Sequence, residues 1–306
     1  MVVRAYTVEE KRTLMRIIPV IASALLLGSV SPSCGFPQET DGQTKEIGRT
    51  TEKELAVVLS SSFGSVTISK GEAGKIVVGE AYTKGKESPR MNVDYEIRNR
   101  VGYVDIALGE KKDAEHKKGS FSIKNFEGGK WFFRFTDAVP ISFDLELGVG
   151  SGDFDLTGLN IKDFNLSTGA SDVTVTFDEP NKSIIDNMTI ESGVSKFSGR
   201  NLGNANFRRF RFQGGVGAYT LDFNGNLNKE VDADVEVGLG ALTLIIPEKV
   251  GARIYFEKNW LSRLDCDRDF HSVADDQYES DNFSSSSGRM NIRIKSGLGS
   301  VKIRRR

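Results

Sequence analysis

The chain has 306 residues, with 41 lysines and arginines against 42 aspartates and glutamates, a net charge of −1. That balance supplies no field to draw in a polyanion, so no nucleic acid partner is expected, and the length suffices for one or two domains with a substantial core. Thirty-two glycines against seven prolines indicate many tight turns, and two histidines with two cysteines leave scarce material for histidine or thiol catalysis.

At the N-terminus, Arg4, Lys11, Arg12 and Arg16 precede the apolar run IIPVIASALLLGSV at 17–30, and the small residues Ser31 and Ser33 lead to Cys34. This is the layout of an export signal over residues 1–33, and the run is too short for a spanning helix of about 20 residues. Met15 followed by Arg16 would itself open a compact signal, so a start at Met15 is an alternative. The small residue before Cys34 resembles a bacterial lipobox, although Ser31 stands where leucine is usual and Pro32 adjoins it. Cys34 is therefore the candidate lipidation site, and a lipid there is the only membrane link expected. The rival reading is a periplasmic or secreted protein in which Cys34 is free to bridge Cys266. Residues 34–54 carry little apolar content and no period, and read as a flexible tether.

From Leu55 the chain consists of short alternating runs punctuated by glycine, with a β-rich part over 55–140 and a more regular one over 141–306. One pattern recurs seven times: alternating apolar positions, a small-apolar-small turn, then further alternation. The central turn residues are Phe63, Val149, Ala170, Val194, Val216, Leu239 and Leu298. The first glycines of the second to sixth copies are separated by 21, 24, 22 and 23 residues. Strand alternation on both sides of a glycine corner predicts an all-β parallel β-helix, a solenoid with coils of about 21–24 residues. The same alternation after ELGVGSGDFDL excludes a phosphate-cradling turn, which would open a helix. Glycine is expected to supply positive φ at each corner, and the seven central residues to point inward as a ladder that closes the core. A charge at Val216 would then unfold adjacent coils. Gly152 is an extra small residue and is expected to form a bulge.

The stretch from KWFFRFTDAVPISF through FRRFRFQGGVGAYTLDF to GLGALTLIIPEKVGARI, with Tyr278, Ser280, Asn282 and Phe283 before a closing Gly-x-Gly coil, resembles the bacterial toast-rack proteins. These include LiaF-like cell-envelope stress proteins and exported adhesin candidates. The resemblance covers about residues 54–306. It implies a noncatalytic β-helical envelope protein and offers no catalytic residues to carry over. LiaF-like members add transmembrane helices, and this chain carries none after its signal, which weighs against a direct sensor-inhibitor role.

Candidate sites are few. Asp265, Cys266, Asp267, Asp269 and His271 cluster within seven residues, but lack the glycine and terminal glutamate of a calcium loop and the second ligand pair of a zinc site. A solvated acidic loop is expected, with no metal and no cofactor. His116 lies in a charged, solvated stretch. Asp153, Asp155 and Asp172 would serve a glycan lyase or hydrolase only as part of a carboxylate ladder, and the following coils place Lys196, Tyr219 and Leu242 there. Arg208, Arg209 and Arg211, interleaved with Phe207, Phe210 and Phe212, form the candidate binding patch. Alternation buries Phe210 and Phe212 and exposes Arg209 and Arg211 toward an anion or glycan, or toward acidic neighbours one coil away. Thr174 and Thr176 make an outward hydroxyl pair without a counterpart on neighbouring coils. EKELAVVL and the terminal Arg304, Arg305 and Arg306 are expected to blunt the open ends by charge. The expected function is an exported adhesion, scaffold or envelope-stress accessory protein, not an enzyme, whose partner is an envelope protein or surface glycan. The alternative is a glycan-modifying enzyme on the same scaffold.

Overall fold

The computed structural model describes residues 42–82, 90–109, 129–257 and 260–306. The expected signal, Cys34, the first part of the tether and His116 lie outside the described residues. In chain order the strands are β1 (Gly42–Gly48), β2 (Glu54–Lys70), β3 (Lys75–Tyr82), β4 (Met91–Arg98), β5 (Val101–Leu108), β6 (Lys130–Phe135), β7 (Ile141–Asp155) and β8 (Ile161–Thr176). They continue with β9 (Ile185–Arg200), β10 (Phe207–Asp222), β11 (Glu230–Ile246), β12 (Gly251–Glu257), β13 (Ser262–Cys266), β14 (Phe270–Ala274), β15 (Gln277–Ser280) and β16 (Arg289–Arg305).

The seven repeat copies are the seven long strands β2, β7, β8, β9, β10, β11 and β16, each bent at its glycine corner and paired in parallel with its neighbours on both arms. The fold is an all-β solenoid. The parts on either side of residue 140 share one sheet, because β2 pairs with β7 through the corner. Sequence order and spatial order part company at the C-terminal end. There β16 lies between β11 and a further coil made of β12 on one arm and β13 on the other. At the opposite end β5 and β6 complete the coil beyond β2. Antiparallel strands then finish both ends: β4 on β5, β3 on β6 and β1 on β3, and β15 on β12 with β14 beyond.

Period-2 alternation along each arm turns one face to the core. In β8, Ile161, Phe164, Leu166, Val173 and Val175 are buried while Asn165 and Asp172 face outward. Volume is balanced within a coil. The inward positions flanking the corner are Leu147 and Gly152 in β7, and Gly214 and Tyr219 in β10, all buried. A Cβ on Gly152 would lie 2.9 Å from the Phe154 ring, and one on Gly214 2.6 Å from the Tyr219 ring. Gly152 is therefore not a bulge. It sits in continuous register between Val66 and Val173, and the space left by its missing side chain is filled by Phe154 and Leu147.

The corner ladder is reversed from expectation. Val149 is 59% exposed, Val194 64%, and Val216, Leu239 and Leu298 between 44% and 46%; Ala170 is also exposed and Phe63 half-buried. The arms wrap the core from both sides of the bend, so its middle residue sits on the convex side and directs its Cβ away. The flanking inward residues close the core instead. The glycines carry the corner by two means. Gly240 has φ +141°, and a Cβ there would collide with the Gly217 carbonyl oxygen of the next coil. Gly238 has ordinary φ, yet its Cβ would lie 2.8 Å from the Gly215 oxygen.

The tether expectation fails over residues 42–54. Strand β1 pairs along β3, and the carboxylate of Glu52 is buried, accepting hydrogen bonds from the Thr50 amide at 3.0 Å, the Thr50 hydroxyl and the Tyr95 hydroxyl at 3.1 Å. Burial acts to raise the Glu52 pKa, but these bonds outweigh it and hold the group below its usual range.

On the side opposite the corner, each coil closes through a short loop, and buried asparagine holds the loops together. Asn181 donates to the carbonyls of Ile161 (2.7 Å), Ser183 (2.9 Å) and Ala205 (3.2 Å), and its oxygen accepts from the Ile161 amide at 2.8 Å. One side chain thus serves three successive coils. Two substitutions separate the convex from the concave side. Val216→Asp should leave the melting temperature essentially unchanged, whereas Asn181→Ala, which orphans buried backbone groups, should cost about 2–4 kcal/mol in urea denaturation.

Candidate interaction surfaces

Three outward surfaces follow from this frame. The first is the apex ridge. The central corner residues are in register from Phe63 through Val149, Ala170, Val194, Val216 and Leu239 to Leu298. The ridge continues to Leu261, whose carbonyl accepts from the Gly299 amide, and to Trp260, 91% exposed. Nothing in core packing requires these outward positions to be apolar.

The second surface is the outer face of the arm before the apex. Arg208 pairs with Asp186, one coil away, at 2.8 Å. Arg209 and Arg211 face outward without an ion pair among the described residues, in register with Asp232 and Asp234 on one side and Asn187 and Thr189 on the other. Asp234 is engaged by Arg293 at 3.0 Å, and Glu230 and Glu236 pair with Arg289 and Lys295. The acidic strand β11 is thus flanked by basic positions on both sides, which is how parallel coils avoid like-charge contact. Phe210 and Phe212 are buried as alternation predicts, and Phe207 is buried with them against Phe223.

The outer face beyond the apex carries a row not found in the sequence. Thr174 stands beside Ser198, then Thr220 and Thr243. The hydroxyl pattern does recur on neighbouring coils; its register is visible only with the corners aligned. Asp153 lies in that row next to Thr174, Asp172 lies in another beside Ser151 and Lys196, and Asp155 accepts from the Thr157 amide at 3.1 Å. These carboxylates do not converge on a cleft.

The third surface is the C-terminal end, where the acidic loop, still partly exposed, is ion-paired to the terminal arginines. Arg304 meets Asp265 at 2.6 Å and Asp267 at 3.5 Å. The Arg305 side chain, only 6% exposed, lies 2.8 Å from Asp269 and donates to the carbonyls of Val250 and Glu248 at 2.9 Å. Its guanidinium also lies over the Phe270 ring. These arginines bind the end of the chain to the final turn, a role more specific than blunting an edge. A cavity of about 370 Å³ beside them is lined by Glu248, Asp269, Asp281, Asn282 and Arg305. His271 reaches Asp281 at 3.2 Å on the outside. Burial, followed by the charge of Asp265, pushes the Cys266 thiol up to about 12, so it is not an activated nucleophile.

The Tyr278–Phe283 segment explains itself in the same region. The buried Ser280 hydroxyl accepts from the Ala252 amide at 2.9 Å and donates to Asn282 at 2.8 Å, Asn282 donates to the Glu248 carbonyl, and Arg253 lies 4.2 Å over the Phe283 ring.

A family model for the N-terminal domain of toast-rack proteins, DUF2154, matches residues 36–200 and 181–245. The chain belongs to the toast-rack family. No curated protein matches this toast-rack chain. Among solved structures, a "putative cell adhesion protein" from Clostridium sporogenes is 18% identical, with 88% of this chain and 100% of that one covered at a TM-score of 0.43. A "putative adhesin" from Bacteroides fragilis is 13% identical, with 86% and 97% covered at 0.38. No helix among the described residues is long and apolar enough to cross a membrane.

Two predictions concern the ends of this toast-rack solenoid. Arg305→Ala should destabilise the fold by about 2 kcal/mol, because Asp269 loses its ion-pair partner and the Val250 and Glu248 carbonyls lose their donor, while Arg306→Ala should be silent in the same denaturation series. Across β4 and β5, Asp105 stands opposite Asp94, and burial, then the Asp94 charge, raises the Asp105 pKa above its usual 3.8. A raised carboxylate pKa means the folded state pays for ionisation near neutrality, and stability rises as pH falls through the folded value. Asp105→Asn should therefore raise the melting temperature at pH 7 by on the order of 1–2 °C, and the gain should vanish at pH 3, where Asp105 is protonated in both states.

Proposed function

We propose that this toast-rack chain is an exported, noncatalytic protein of the bacterial cell envelope that works by contact, as an adhesion or scaffold protein or an accessory to envelope stress. Membership of the toast-rack family supports the reading. The observation that carries it is the form of the outward surface: arms whose residues change character from coil to coil, with Asp153, Asp155 and Asp172 on separate rows, Asp153 beside Thr174, Asp155 accepting from the Thr157 amide and Asp172 near Lys196. Hydrolysis or elimination on a glycan needs an acid and a base facing one bond across a cleft. Extended rows suit a polymer or another protein surface better than a single reacting bond.

In this reading residues 1–33 direct export, Cys34 is the lipid attachment point, and Arg209 with Arg211 offers unpaired positive charge to anionic envelope glycans or protein partners. The test uses purified full-length protein with peptidoglycan sacculi and a panel of bacterial polysaccharides. Retention on one of them with no soluble fragments or new reducing ends is the expected result, and Arg209→Ala/Arg211→Ala should weaken retention on an anionic glycan about threefold or more. Release of cleavage products that survives further purification would replace this reading with the glycan-modifying enzyme.

A further inference from the structure

The apex ridge is a line of apolar side chains standing on the outside of a coil stack whose core does not need them. Eight residues, Phe63 to Leu298 and then Leu261, occupy successive coils. At a strand spacing of about 4.8 Å, the ridge runs about 34 Å. Corner glycines such as Gly148 and Gly238 on one side and Gly150 and Gly240 on the other leave bare backbone beside it. Contiguous exposed apolar surface of this length, rimmed by polar residues, marks an interaction site.

We infer that the ridge is the seam of a homodimer in which two copies of this chain pack apex to apex with their coils running in the same direction. The spacing is the first argument. Knobs repeating at the strand spacing match, along their whole length, only a surface with the same repeat, and a second copy presents that repeat.

Charge supplies the second argument and the orientation. A two-fold axis along the ridge sets the outward row before one apex against the outward row after the other, coil by coil. In that arrangement Glu191 faces Lys196 of the second copy and Glu257 faces Arg263, each twice by symmetry. The other charges of these two rows, Glu146, Asp172, Glu236 and Lys295, face serine or alanine, so no like charges meet at one level in the rows directly beside the ridge. All four of these charged residues are exposed, and the existing Lys196 to Asp172 contact, at 3.8 Å, is loose.

Area sets the strength. A strip of this length buries about 400 Å² per chain, roughly 800 Å² in total, below the 1,200–2,000 Å² of standard stable interfaces. The dimer is therefore a weak one that forms where chains are concentrated. It is independent of any glycan or envelope partner.

Sedimentation of the purified full-length protein from about 1 μM to about 1 mM should show reversible dimerisation in the upper part of that range. Val216→Asp/Leu239→Asp should weaken it at least tenfold with an unchanged melting temperature. Lys196→Glu should weaken it, and Glu191→Lys/Lys196→Glu should restore it. In a Cys34→Ser/Cys266→Ser background, Val149→Cys and Leu298→Cys should each form disulfide-linked dimers alone under mild oxidation. A protein that stays monomeric at 1 mM, a charge swap that restores nothing, or cross-linking only when the Val149→Cys and Leu298→Cys chains are mixed would each overturn the seam as described.

Discussion

The structure depends on the close stacking of backbone at the corners. Parallel pairing through a bend requires each corner to nest on the one before, at the spacing set by the hydrogen bonds of both arms. A Cβ on the first corner glycine would press on the carbonyl oxygen of the preceding coil, and one on the second would do so as well. Removing side chains from these two positions lets one strand bend without losing register with its neighbours, so single strands of 15 to 17 residues run through the bend. Where the second position is Ser195 instead of glycine, the corner is held in part by a hydroxyl contact with Ser192.

Everything else is arranged around that nesting. With the corner fixed, the arms can differ only in what they carry inward and outward. Inward, large and small residues compensate within a coil, as Leu147 does with Gly152 and Tyr219 with Gly214. On the closing side, where no strand alternation operates, backbone groups that would otherwise be buried without partners are bound by Asn181 and by Asn204, which donates to the Phe177 carbonyl and accepts from the Asn226 amide. At the C-terminal end the terminal arginines perform the corresponding service. A stack of parallel coils leaves unpaired edges, and antiparallel strands with a buried arginine clamp finish this one.

What could be read from the sequence follows from how local each feature is. The solenoid and its seven long strands are legible because alternation and the glycine corners recur within 21 to 24 residues. The direction of Val149 and its counterparts is not. Counting by twos from inward Leu147 assigns Val149 inward as well, but a bend interrupts the pleat, and a residue on the convex side of a bend points out. Strand β1 is hidden for a different reason: GQTKEIG is mostly polar because a terminal strand is held chiefly by its backbone ladder, with Ile47 as its one apolar contact to the core. The Arg305 pairing to Asp269 joins residues far apart in sequence, and the placement of β16 between β11 and β12 reverses chain order. Neither leaves a local trace. Phe210 and Phe212, on an undisturbed arm, obey the alternation and are buried.

The seven copies also form an internal comparison. At outward positions along the arms they vary in chemistry: Asp144, Asn165, Thr189, Arg211, Asp234 and Arg293 are equivalent, constrained only in that neighbouring charges are of opposite sign. Inward positions are apolar or small because the core demands it. The apex belongs to neither class. It is solvent-facing, yet it holds phenylalanine, valine, alanine, valine, valine, leucine and leucine in succession. Drift under solvent exposure alone would fill such positions with the serines, lysines and aspartates found close by on the same strands. An outward row that stays apolar over the whole stack, beside glycines already required by the corner, places its constraint outside the solenoid, on whatever surface meets it.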